Sequence, residues 1–291
     1  MNTISFMTAN FVARQLNFTM TRGWGEGDTA TSEFFRPEET FAERFDTMLG
    51  EIVALGFSAI DLWASHLSPS WATERQIREA AEILARRRLS VSSLAFYVPN
   101  DLAVIDRAAA IAKACGTRII GGGCRDGVLE GNRREFLAAL EKHDLIFGFE
   151  NHPEKSVEEL LAKIGDAVGG RIGLAVDTGW FGSNRCDAPD AIRRLSNRIV
   201  HVHLKDVLDP SVQSGHKDIR ESAPDRNPTL KDMGHETCVL GDGVVGIRQC
   251  VAALKEIGYK GGISIEHEPE DRNPLPDVKL SLARLNQWLA E

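Results

Sequence analysis

Eight times along this chain a short apolar run gives way to a longer amphipathic segment, and that alternation limits the fold more than any other feature. The runs at 3–8, 58–63, 89–95, 117–121, 145–150, 172–177, 199–204 and 261–266 have the length and character of strands. The segments at 38–55, 73–87, 100–114, 132–143, 155–166, 188–195, 244–257 and 275–289 carry helical spacing. Gly56 and Gly258 close two of them, and Pro189 sits in the first turn of another. Strict alternation calls for a parallel sheet with helical crossovers. Eight equal repeats close naturally into a (β/α)8 barrel. The glycine-rich pieces Gly23-Trp24-Gly25-Glu26-Gly27 and Gly121-Gly122-Gly123 lack the GxGxxG spacing of an open dinucleotide-binding sheet and read as turn glycines. The expectation is one α/β barrel domain over 1–291, since such barrels run to about 250 residues as a single unit. Two connections are long, 9–37 after the first strand and 206–243 after the seventh. Both follow strands, so both lie on the face where barrel active sites form and read as lids, binding loops or contact arms.

Composition acts as a filter on partners. The 291 residues include 34 Lys or Arg and 42 Asp or Glu, a formal net charge of −8. A nucleic-acid partner asks for a basic surplus or stripe, and the densest basic run, Arg86-Arg87-Arg88, sits at a helix end that suits cations for its own reason. The five cysteines (Cys115, Cys124, Cys186, Cys238 and Cys250) are odd in number and lack CxxC spacing, which reads as scattered reduced thiols. No basic start followed by an apolar run opens the chain, and no apolar stretch approaches the roughly 20 residues that span a bilayer. A cytoplasmic protein with no membrane contact is expected.

Strand side chains alternate between faces, so parity assigns each residue to the barrel interior or to the helix layer. In the fifth strand Leu145, Phe147 and Phe149 alternate with Ile146, Gly148 and Glu150. In the sixth, Ile172, Leu174 and Val176 alternate with Gly173, Ala175 and Asp177. In the seventh, Val200, Val202 and Leu204 alternate with Ile199, His201, His203 and Lys205, and in the eighth Ile263 and Ile265 alternate with Gly262, Ser264 and Glu266. Bulky residues are thus expected to face the helices, small ones the interior, and a polar residue closes each inward row. Glu150, Asp177, His203 and Glu266 then converge at one mouth from four adjacent strands. Three carboxylates and an imidazole need a compensating cation there, and a divalent metal supplies it. Oxygen-rich ligation with one nitrogen suits Mn²⁺ or Mg²⁺, with Co²⁺, Zn²⁺ or Fe²⁺ also compatible.

The motifs Phe149-Glu150-Asn151-His152-Pro153, Val176-Asp177-Thr178-Gly179, His201-Val202-His203-Leu204-Lys205-Asp206, Gly241-Asp242-Gly243 and Ile265-Glu266-His267-Glu268 resemble those of the xylose isomerase-like TIM barrels, a superfamily of sugar and sugar-phosphate isomerases and epimerases, inosose-processing enzymes and endonuclease IV-type proteins. The resemblance implies that Glu150, Asp177, His203 and Glu266 ligate one divalent metal, often Mn²⁺. It further implies that Glu150 and Glu266 act as acid and base on opposite faces of a substrate. Many members read D-T-x-H after the sixth strand, where this chain has Trp180, an aromatic surface in place of a polar contact. The extra histidine and acidic ligands of three-metal endonucleases are not apparent.

The chemistry that follows is proton abstraction α to a metal-bound carbonyl of a keto-sugar or related polyol, through an enediolate. Return of the proton gives epimerisation or isomerisation. Expulsion of a β leaving group instead makes a lyase, a route some members of the superfamily use on 3-keto-glycosides. A non-catalytic sugar-binding barrel is a third reading. Lys205, one step out from His203, is a candidate for a substrate hydroxyl or oxyanion; His66, after the second strand, and His152, in phase with Glu150, are candidates to line the pocket with Trp180. His201 is expected deeper as a partner to a ligand, and Glu268 as a solvent or supporting group. The partner expected is a small carbohydrate, with a homo-oligomer left open because the long loops are available to a second copy.

Overall fold

The computed structural model describes residues 2–165, 170–209 and 234–291. Among them the strands, in chain order, are β1 (Thr3–Met7), β2 (Ala59–Trp63), β3 (Ser90–Ala95), β4 (Ile119–Gly122), β5 (Ile146–Glu150), β6 (Ile172–Asp177), β7 (Ile199–Leu204), β8 (Asp206–Leu208), β9 (Glu236–Cys238) and β10 (Gly262–Ile265). The order β1-β10-β7-β6-β5-β4-β3-β2 closes a barrel, and its neighbours pair in parallel. All eight expected strands are present, each within a residue or two of its expected bounds.

The helices are α1 (Trp24–Phe35), α2 (Glu38–Ala54), α3 (Glu74–Arg87), α4 (Val104–Ala114), α5 (Arg133–Lys142), α6 (Val157–Ile164), α7 (Thr178–Ser183), α8 (Ala188–Leu195), α9 (Ile247–Glu256) and α10 (Leu275–Ala290). Their apolar stripes explain why they lie on the sheet: in α2, Phe41, Phe45, Met48, Leu49 and Ile52 form one buried face. At the start of α3 the Thr73 hydroxyl accepts from the Gln76 N–H while the Gln76 side chain accepts from the Thr73 N–H, a reciprocal cap. Two helices begin later than their periodicity suggests. Asp101 accepts from the Ala103 N–H (3.0 Å) and holds a turn ahead of α4. Before α9, the backbone of 241–245 is committed to Asp206, whose carboxylate accepts from the N–H groups of Gly241, Gly243, Val245 and Val207. A Cβ on Gly243 would lie 2.3 Å from that carboxylate, so the close approach requires glycine.

The two long connections are not plain loops. Residues 9–37 contain two short 3-10 turns and the whole of α1. The two ends of 206–243 pair antiparallel as β8 and β9, with Asp206 opposite Cys238 and Leu208 opposite Glu236; residues 210–233 between them lie outside the described residues.

The outward rows are buried between sheet and helices as expected: Phe147, Leu174, Val176, Val202, Leu204, Ile263 and Ile265 are inaccessible to solvent. Parity fails at one point. The β6–β7 register slips between Leu174 and Ala175, which leaves Val200 as an extra residue on β7. A Cβ on Gly148 or Gly173 would meet the Val200 γ carbons at 2.9 and 2.5 Å, so Val200 fills the interior beside those glycines instead of joining the helix layer. A second slip, between Ile60 and Asp61 against β3, puts consecutive serines to use inside the barrel. Ser92 donates to Ser5 Oγ (2.9 Å), and Ser93 donates to Asp61. No helix among the described residues is long and apolar enough to cross a membrane.

Candidate metal centre and substrate cavity

The register brings inward residues side by side: Ala175 beside His201, Asp177 beside His203, and His203 beside Ser264. Three tiers follow from this floor to the mouth.

The floor is sealed. Asp61, His201 and Ser93 have no solvent exposure. Asp61 Oδ2 lies 2.6 Å from His201 Nε2 and 3.1 Å from His203 Nε2. Burial alone would raise the Asp61 pKa, but the two imidazoles hold it well below the ordinary carboxylate range. An ionised carboxylate only accepts, so each Nε2 carries the proton and His203 Nδ1 is the atom turned toward the mouth. His201 is therefore a partner to Asp61, and Asp61 is the direct partner of His203.

In the middle tier His203 Nδ1 is 2.8 Å from Glu150 Oε1 and 3.3 Å from Glu266 Oε2. Burial depresses the His203 pKa, but Glu266, Asp61 and Glu150 together raise it well above the ordinary imidazole value. Burial pushes Glu266 up, whereas His203 overcomes the burial of Glu150 and holds it down.

At the mouth sits Lys205, with its Nζ 2.9 Å from Glu266, 3.2 Å from Glu268 and 3.4 Å from Asp177. Its side chain is only 7% exposed, so it is an internal counter-ion and not a rim lysine in water. Glu268 belongs to the same ion cluster. Asp177 divides its carboxylate between two tasks. Oδ1 accepts from the Gly179 and Trp180 N–H groups and caps α7, while Oδ2 faces Lys205.

Buried amides fix these strand ends. Asn151 accepts from the Asp177 N–H (2.7 Å) and donates to its carbonyl (2.9 Å). Asn10 does the same on either side of Glu266, accepting from the His267 N–H (2.7 Å) and donating to the Ile265 carbonyl (3.1 Å). Each side chain imitates an adjacent strand just where the sheet ends. Thr178 Oγ1 likewise accepts from the Lys205 N–H (3.0 Å).

The cluster opens into a cavity of about 540 Å³ that Glu150, Asp177, His203, Lys205 and Glu266 all line. Trp180 and His152 line it too, their rings 4.0 Å apart edge to face, with the Trp180 indole N–H donating to the Glu154 carbonyl. His66 does not reach it. The turn after β2, closed by the His66 N–H donating to the Trp63 carbonyl, folds the ring inward, 4.8 Å from Phe35 and 5.4 Å from Trp63. Neither ring nitrogen has a hydrogen-bond partner, and burial drives the pKa down to about 3, so His66 is a neutral packing residue.

Sequence reasoning missed Asp61, Ser93, Asn10 and Asn151. The signal for Asp61 was available: an acid flanked by apolar residues in mid-strand, Ile60-Asp61-Leu62, is expensive to bury without partners.

Among the described residues, two sets of side chains bring ligand atoms within 4.8 Å of one another: Glu150, His203 and Glu266, and Asp61, His201 and His203. The donor chemistry of the first suits a divalent ion. Glu266 Oε2 is buried and receives no hydrogen bond. Around it Asp61, Glu150, Asp177, Glu266 and Glu268 supply more negative charge than Lys205 and His203 neutralise. In the second set the Asp61 carboxylate is already engaged by Ser93, His201 and His203, and neither Asp61 nor His201 lines the cavity.

A closed eight-stranded α/β barrel with acids and imidazoles gathered at the carboxyl ends of its strands defines a class of protein whose chemistry sits in the barrel mouth. The family model described as xylose isomerase-like TIM barrel matches residues 49–288, and the chain belongs to that family. It is 31% identical over 107 residues to an inosose dehydratase of Lacticaseibacillus casei, covering 36% of this chain and 34% of that protein. Less than half the length of each curated relative is spanned. Among solved structures, the probable 3-DHS dehydratase AsbF from Bacillus anthracis superposes with a TM-score of 0.66 at 14% identity, covering 98% of this chain and 99% of that one. An L-ribulose 3-epimerase gives 0.66 at 15%, covering 100% and 95%. At those identities the two structures share the fold.

Proposed function

We propose that this chain is a divalent-metal-dependent enzyme that removes a proton α to a carbonyl in a keto-sugar or related cyclic polyol and returns it, as an epimerase or isomerase. The observation that carries this reading is the convergence of Glu150 and Glu266 on one imidazole nitrogen in the lining of a cavity, with a buried oxygen of Glu266 that has an ion-pair neighbour but no hydrogen bond. Glu150, Asp177, His203 and Glu266 would hold the ion. Bound there, the ion supplies Lewis-acid stabilisation of negative charge developing on substrate oxygen.

The protein groups have separable tasks. Glu150 and Glu266 stand on strands on either side of β6 and β7, so a ring held between them meets one carboxylate on each face. One takes the proton and the other gives it back. Lys205 and His152, which line the cavity, would bind substrate hydroxyls, and Lys205 also keeps the carboxylates from repelling one another. Asp61 keeps the His203 ring turned so that Nδ1 faces the site. Trp180 presents an aromatic surface to the cavity.

A second reading, β-elimination after the same proton abstraction, is favoured by the inosose dehydratase likeness and by Trp180 where a polar contact is usual. Incubation of the Mn²⁺-loaded protein in D₂O with a panel of ketoses, keto-inositols and 3-keto-glycosides separates the outcomes. Exchange at the α-carbon without bond cleavage supports epimerase or isomerase chemistry. Loss of water or of an aglycone supports the lyase. Tight binding with neither exchange nor cleavage moves the protein to the non-catalytic sugar-binding reading.

A further inference from the structure

The cavity is lined by two unlike sets of side chains. One is charged or polar: the ion cluster together with His152, His235, Glu236, Glu270, Asp271 and Arg272. The other is apolar: Met7, Trp24, Trp63, Phe96 and Tyr97, with the backbone of Gly121–Gly123 in the same lining. Its rings are held in place. Trp24, at the start of α1, packs on Trp63 at 5.0 Å between ring centroids. Behind them Met7, Val12, Met20 and Ala95 form an apolar cluster separate from the main core. The Tyr97 hydroxyl donates to the Cys124 carbonyl (3.0 Å), which fixes a ring that is 46% exposed. The glycines keep the base flat. A Cβ on Gly123 would come 2.8 Å from the Tyr97 ring, and one on Gly122 would lie 2.6 Å from the Phe96 carbonyl oxygen. Tyr97 is the one aromatic side chain among the exposed large hydrophobics of the described residues. The Arg125 guanidinium lies 5.9 Å from the ring centroid and still leaves Tyr97 half bare, and a fixed half-bare ring costs stability unless something covers it.

We infer that these apolar side chains form a subsite for a planar, uncharged aromatic group attached to the sugar, so that the substrate class is an aryl glycoside whose sugar ring carries the carbonyl, and not a free monosaccharide or a sugar phosphate. The inference rests on the proposed function only in placing the sugar at the ion cluster. A cavity of about 540 Å³ falls within the roughly 300–1,000 Å³ that holds drug-sized ligands, and a lone sugar on the acidic side leaves the aromatic side uncovered. The rings offer faces and edges for stacking. The acids of the lining, Glu150, Asp177, Glu266 and Glu268, disfavour a phosphate, and the cations there, Lys205 and Arg272, are already paired with carboxylates.

The test is calorimetric titration of the full-length, Mn²⁺-loaded protein with phenyl β-D-glucopyranoside, methyl β-D-glucopyranoside and cellobiose. The phenyl glucoside is expected to bind at least about tenfold more tightly than the methyl glucoside, from the apolar area it buries. Cellobiose is expected to bind no more tightly than the methyl glucoside. Trp24→Ala and Tyr97→Ala are each expected to cut the phenyl preference to about threefold or less, in proteins whose circular dichroism and melting temperature match the parent. Equal affinity for phenyl and methyl glucosides, cellobiose binding as tight as the phenyl glucoside, or a preference that survives both substitutions would overturn the subsite. A phenyl preference that persists while no ketose, keto-inositol or 3-keto-glycoside exchanges deuterium or is cleaved would support the subsite and remove the catalytic reading.

Discussion

Asp61 governs more of the site than any residue that touches the cavity. It receives the proton-bearing nitrogens of His201 and His203 and the hydroxyl of Ser93, and so sets which edge of the His203 ring faces the mouth. Carboxylates behind ligating histidines typically change metal affinity about 10–100-fold when altered. Asp61→Asn is therefore expected to weaken Mn²⁺ binding by about that factor, measured by competition with a fluorescent chelator, while the circular dichroism of the barrel is retained; unchanged affinity would show that His203 holds its orientation without Asp61. Lys205 supplies the converse test. Its ammonium bridges the buried carboxylates of Asp177 and Glu266 and the partly buried one of Glu268, and breaking a buried pair by removing one partner costs about 3–5 kcal/mol. Lys205→Met is expected to lower the melting temperature of the metal-free protein and to regain stability on Mn²⁺ addition by more than the parent does. An equal loss with and without Mn²⁺ would mean that lysine and ion do not share the charge. Parity made Glu150, Asp177, His203 and Glu266 legible because each ends an inward row. It said nothing of depth, which is why Lys205 read as a candidate for a substrate hydroxyl or oxyanion and not as an internal counter-ion, and why Asp61 went unread. His66 failed for another reason: a three-residue turn decides where its ring goes, and no periodicity describes a turn.

At the scale of elements, strand and helix existence followed from hydrophobic period, whereas two register slips did not. A bulge adds one residue without altering the apolar character of the strand, so Val200 read as outward and lies inward instead. Gly148 makes this testable, because its missing Cβ leaves room for Val200. Gly148→Ala is expected to cost about 1–3 kcal/mol by overpacking. Combined with Val200→Ala, the loss in urea denaturation is expected to be smaller than the sum of the two single losses; strict additivity would place Val200 elsewhere. The helix α1 was hidden for a plainer reason. Its sequence, Trp24-Gly25-Glu26-Gly27 onward, holds two glycines in its first turn and only a weak apolar stripe, so the 9–37 connection read as a loop. Gly27 is required there, since a Cβ would lie 2.3 Å from the Val12 carbonyl oxygen.

The whole molecule follows from eight repeats, each too short to bury its own apolar face, closing on one another into a barrel. Closure brings four positions spread over residues 150–266 to one mouth, and the register of β5, β6, β7 and β10 makes them neighbours. The bulky outward rows and the helix stripes account for the core, and the small inward residues account for the space in which the polar tiers sit. The net charge of −8 is consistent with the acid-rich mouth, and the aromatic wall opposite came to light only once α1 and the strand ends were placed together in space. The most direct test of the account is the stoichiometry and location of the bound ion, read by calorimetric titration of the metal-free protein with Mn²⁺ alongside Glu266→Gln and His201→Gln. One equivalent per chain is predicted, with binding abolished in Glu266→Gln and retained, though weakened, in His201→Gln. Binding that survives Glu266→Gln and vanishes in His201→Gln would move the ion to the sealed floor beside Asp61, and no binding at all would leave the acid cluster to Lys205 alone.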